Sequence, residues 1–74
     1  MTAQTTLLTV TEDGGVELET DDDAVMHKAR AAFRDGDSKT FVYVTPTEEL
    51  TVTGRVTEVQ EIGQFRFTVL PQQA

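Results

Sequence analysis

Along the chain, apolar and polar positions alternate with two different periods. Residues 5 to 11, Thr-Thr-Leu-Leu-Thr-Val-Thr, read as a strand with Leu8 and Val10 on one face. Glu12-Asp13-Gly14-Gly15 is a turn signal, because glycine reaches the positive φ values that hairpin turns need. Val16-Glu17-Leu18-Glu19 then alternates apolar and acidic, the mark of a half-buried strand. The first unit predicted is a hairpin with Leu8, Val10, Val16 and Leu18 facing inward.

The period then changes to that of a helix. Asp21 or Asp22 can serve as N-cap, its carboxylate accepting from the unpaired amides of the first turn. At 100° per residue, Val25, Met26, Ala29, Ala32 and Phe33 fall within an arc of about 120°, one core-facing stripe. Gly36 supplies the stop. A helix over about residues 22 to 35 follows.

Three further strands are predicted. Thr40-Phe-Val-Tyr-Val-Thr45 is apolar on both parities, Phe41 and Tyr43 on one face and Val42 and Val44 on the other, and Pro46 ends it. Strands of that kind are usually covered on both sides. Leu50 to Val59 alternates until Gly54 interrupts, as at a bulge or bend. After a turn at Gln60 to Gln64, Phe65 to Val69 alternates again and Pro71 ends the ordered part. The order is ββαβββ, an α+β fold. One helix packs on a small antiparallel sheet whose last three strands form a meander. A small, partly closed β-barrel with one helix is the alternative, with Gly54 where a long strand could bend.

Seventy-four residues hold a single small domain, residues 1–74, with 1–4 and 71–74 expected to be flexible. A chain of this size buries only about 60% of its unfolded surface, so an isolated monomer is modestly stable. With no cysteine, neither disulfides nor thiolate metal sites can reinforce it. No stretch approaches the roughly 20 apolar residues that span a bilayer, and Met1-Thr2-Ala3-Gln4 shows no secretory signal. The expected location is the cytoplasm or the inside of a viral particle, with no membrane partner.

The net charge of −7, thirteen acids against six Lys and Arg, disfavours nucleic acid and anionic membranes, whose binding draws on basic residues. Only two lysines, many acids and thirteen threonines fit a protein adapted to high cytoplasmic salt, and a halophilic source is expected.

Candidate chemistry is sparse. The lone Ser38 and lone His27 stand about eleven residues apart, roughly 15 Å along a helix, so no nucleophile–base arrangement is expected and the chain reads as a non-enzyme. Asp23 and His27 at i, i+4 give two ligands where zinc needs three or four. Asp35-Gly-Asp-Ser-Lys-Thr departs from the calcium-loop pattern at Lys39, Thr40 and Pro46. No metal, cofactor or small-molecule substrate is expected.

His27, Arg30 and Arg34 lie opposite the apolar stripe and form a candidate anion contact. The simpler account is a helix with acids at its start and bases at its end, both opposing the macrodipole. The i, i+4 pair Arg30–Arg34 is repulsive and hints at an anionic neighbour.

The apolar strand surfaces carry the functional expectation. If the helix covers one sheet face, the other face of the 41–44 strand needs cover, from the N-terminal hairpin folded over as a second layer or from another chain. The expected function is a non-enzymatic interaction or assembly module, self-associating or part of a larger complex such as a virion. Its candidate surface is Phe41, Val42, Tyr43, Val44, Phe65, Phe67 and Val69. The alternative is a small-barrel nucleic-acid-binding module using Arg55, Arg66 and the aromatics.

Overall fold

A computed structural model describes residues 4–71. The hairpin comes first: β1, Thr5–Val10, and β2, Val16–Thr20, pair antiparallel around a Thr11–Gly15 turn. That turn is closed by Thr11 N–H to Gly15 O at 2.7 Å and Gly14 N–H to Thr11 O at 3.0 Å. The helix α1, Asp23–Asp35, follows, then β3, Ser38–Val44, β4, Glu49–Gln60, and β5, Phe65–Pro71. The element order is the expected ββαβββ.

β3, β4 and β5 form the expected antiparallel meander. The hairpin joins it edge-on, β2 pairing with β5 from Val16↔Val69 to Thr20↔Phe65. It therefore extends the sheet and does not fold over β3 as a second layer. The five strands curl into a ring in the order β1-β2-β5-β4-β3, joined at the β1–β3 seam, among the described residues, by one parallel bridge, Thr6↔Val44. The two architectures open to the sequence meet here: an antiparallel sheet, bent until its edges touch.

Inside the ring lie Val16, Leu18, Phe41, Tyr43, Val52, Val56, Phe65, Phe67 and Val69, with Ala29 and Ala32 of α1 seated against them. Phe67 is flanked by the rings of Phe41 at 4.9 Å and Phe65 at 5.9 Å, both tilted, as aromatic pairs prefer. The buried Thr5 hydroxyl donates to the Thr20 hydroxyl at 3.1 Å, which in turn donates to the Gln4 carbonyl at 3.4 Å.

The helix is built as its sequence implies. Asp22 is the N-cap, accepting from Ala24 N–H at 2.9 Å. Gly36 ends it at φ 74°, and its N–H closes on Ala32 O. Ala29 and Ala32 are small enough to bring the axis close to the sheet, while Val25 and Met26 pack at the margin. Phe33, expected in the same stripe, is 50% exposed. It stands in the last turn of the helix, about 100° around from the buried Ala32, whereas Met26 near the helix start reaches the core margin.

Two strand details differ from expectation for one reason, an extra residue. In β1 the register with β2 shifts between Leu7 and Thr9. Thr5 is therefore buried and Leu7 packs on the core, whereas Leu8 is 41% and Val10 60% exposed. In β4 the shift lies between Val56 and Glu58, not at Gly54. Gly54 is buried for another reason: a Cβ there would stand 2.0 Å from the Leu70 carbonyl oxygen.

At the ends, Pro71 lies within β5 and pairs with Gly54, and Gln4 N–H donates to Asp21 at 3.0 Å. The rest of the two end segments expected to be flexible, 1–3 and 72–74, lies outside the described residues.

Candidate interaction surface

The seven residues expected to form an apolar surface divide between the two sides of the ring. Phe41, Tyr43, Phe65, Phe67 and Val69 point inward and are buried. Val42 is 50% exposed and Val44 half-buried, both on the outer side. Both parities of β3 were apolar, so size decided: the larger rings fill the ring's interior and the valines face out. With the four strand aromatics inside, these residues present no stacking platform for bases.

The hydrogen-bond ladder sets the direction of β3's backbone groups. At the turn, Thr45 N–H donates to Glu48 O at 2.8 Å. Alternation from that bond turns residues 43, 41 and 39 toward β4 and residues 44, 42 and 40 away from it. Lys28 Nζ donates to the Thr40 carbonyl, which agrees. Val44 meets β1 at the seam and Thr40 meets Lys28. Between them, the N–H and C=O of Val42 turn away from β4 and, among the described residues, no strand pairs with them; Val42 lines a groove of about 390 Å³. Val25, Phe41, Val42 and Val44 give it apolar walls, and Gln4, Thr5, Asp22, Lys28, Thr40 and Glu49 a polar lip. No sequence signal marked these lip residues as neighbours, because they come from separate elements that only the closed ring brings together.

The basic stripe of α1 divides as well. Arg30 donates to Glu61 Oε1 through Nε at 3.0 Å and through a terminal nitrogen at 2.6 Å. Its guanidinium also lies 5.2 Å from the Phe65 ring centre. Arg34 Nε donates to Asp35 at 3.1 Å. Hydrogen bonding to these carboxylates raises both guanidinium pKa values. The two arginines thus take separate acids and share no anion. His27 is exposed on the outer side of the helix.

On the opposite flank, Lys28 Nζ lies 5.0 Å from the Phe41 ring centre. Two cations, one on each side of the α1 stripe, cover two core aromatics. Elsewhere Arg66 Nε stands 3.4 Å from Glu19, its cross-strand partner on β2.

The hairpin turn holds one of two perturbed carboxylates among the described residues. The Thr11 hydroxyl donates to Asp13 and Gly15 N–H adds a longer bond at 3.4 Å, which together lower the Asp13 pKa below 3.8. Asp35 is lowered by Arg34. Among the described residues no three of His, Asp and Glu gather as metal ligands, and no helix is long and apolar enough to cross a membrane. No family model, curated protein or solved structure matches the chain.

Proposed function

We propose that the protein is a non-enzymatic interaction or assembly module, self-associating or built into a larger complex such as a virion, and that it works through the outer side of β3. The supporting observation is the Val42 segment. A half-exposed apolar side chain there coincides with backbone groups that, among the described residues, no strand pairs with, beside a groove. An open strand edge is a template for an added segment: main-chain bonds supply affinity, and side-chain pockets supply specificity. In this reading a short extended segment of a partner, or of another copy, pairs at Val42 and seats an apolar side chain over Val25 and Val44. The setting is the salt-rich cytoplasm of a halophile, or a particle assembled there.

The test uses the full chain at high salt. Light scattering on the wild type is expected to give a mass above the 8.2 kDa of one chain, falling to that value in Val42→Lys. If binding is to another protein, a photo-crosslinker at position 42 gives a discrete adduct in native extract, suppressed by a lysine at position 44. A chain that stays at one-chain mass and gives no position-specific adduct overturns the proposal.

A further inference from the structure

Of the four arginines, Arg30, Arg34 and Arg66 each face a carboxylate. Arg55 has no ion pair or hydrogen bond from its side chain among the described residues, although acids outnumber Lys and Arg by thirteen to six. The cause is the register. Arg55 stands opposite Ser38 on β3 and Leu70 on β5, both uncharged. The extra residue between Val56 and Glu58 leaves Thr57 beside it on the rim of the same depression. Arg55, Thr57, Leu70 and Pro71 line a second groove of about 370 Å³, in which Leu70 is 37% exposed.

We infer that this groove is a docking site for a carboxylate-bearing segment of a protein partner, an Asp or Glu flanked by an apolar residue. The guanidinium fork takes a carboxylate through two parallel N–H bonds. The Thr57 hydroxyl donates a third bond, and Leu70 and Pro71 seat the neighbouring apolar side chain. Charge complementarity selects this occupant. A nucleic-acid backbone brings a row of charges and would meet the surrounding acids, whereas one carboxylate needs only the one guanidinium. The site lies on β4 and β5, not at Val42, so it stands or falls independently of the function proposed above.

The test titrates isotope-labelled full-length protein with the end-capped tripeptide Leu-Glu-Leu and with Leu-Gln-Leu. The expected result is a Kd in the millimolar range for Leu-Glu-Leu, with amide shifts concentrated at 55–57 and 70. Loss of the charge-assisted bonds weakens binding roughly tenfold, either through the Gln peptide or through Arg55→Gln. Arg55→Lys keeps the charge without the fork and recovers only part of the affinity. An unchanged core spectrum shows that each variant is folded. Shifts scattered over the surface, equal binding of both peptides, or full binding by Arg55→Gln overturns the proposal. So does stronger displacement by a short oligonucleotide than by free glutamate.

Discussion

Gly54 sits where two backbones meet. A methyl group there would stand 2.0 Å from the Leu70 carbonyl oxygen and 2.8 Å from Pro71 Cα, and neither atom can swing aside as a side-chain tip would. Gly54→Ala therefore forces β4 and β5 apart, with an expected cost of about 2–3 kcal/mol in urea unfolding. A loss within a few tenths of a kcal/mol would mean the strands do not approach so closely. Asp13 makes a second point at this scale. Its carboxylate is stabilised by the Thr11 hydroxyl and Gly15 N–H, so its folded pKa lies below its unfolded value. The contribution is complete above the unfolded value near 3.9 and is lost as pH falls through the folded one. Carboxyl-resolved NMR is expected to show Asp13 titrating below 3.8, and Thr11→Val to raise it. An Asp13 value indifferent to that substitution would remove the hydroxyl from the account.

At the level of elements, the helix was the most legible part of the chain because three independent signals agreed on it. Asp22 caps it, the apolar residues recur with its period, and Gly36 ends it in the left-handed region. The strand faces were less legible, because a bulge residue carries no compositional mark. Leu8 in Thr-Thr-Leu-Leu-Thr-Val fits either parity, and the register shift is set by pairing with β2. In β3 the sequence left the choice of face open, and the volume of Phe41 and Tyr43 closed it. The candidate contacts were legible only where they are local. Arg34 and Asp35 are adjacent, but Arg30 and Glu61 are 31 positions apart and joined through the β4–β5 turn. Exposure also predicts which apolar residues of these elements matter for stability. Phe67, 1% exposed between two rings, should cost about 3–5 kcal/mol as Phe67→Ala. Phe33→Gln, from the helix stripe but half in water, should cost less than about 1 kcal/mol. Denaturant midpoints of the two variants decide it, and equal losses would place Phe33 in the core.

For the whole molecule, the ring's geometry and its charge act against each other. Among the described residues the ring closes through one β1–β3 bridge, a seam with few bonds to resist opening. The surface carries thirteen acids, and ten of them have no ion pair among the described residues. Like charges on a compact particle repel, and unfolding relieves the repulsion by spreading them. Salt changes two contributions of opposite sign. It weakens the three exposed ion pairs, which such pairs can lose with little effect on stability, and it screens the far more numerous acid–acid repulsions. The second effect wins on number. Thermal unfolding should therefore shift upward as KCl rises from about 0.1 M, where charges are felt over about 10 Å, to above 1 M, where the range is about 3 Å. In a domain of this size each 1 kcal/mol regained raises Tm by roughly 4–8 °C. Replacing the adjacent Glu48 and Glu49 with Gln removes charge from two exposed acids that have no ion pair among the described residues, and should raise Tm at low salt and flatten its dependence on KCl. A wild-type Tm that does not move across that range would show that the acids are already balanced by the fold, and the high-salt setting would lose its physical basis.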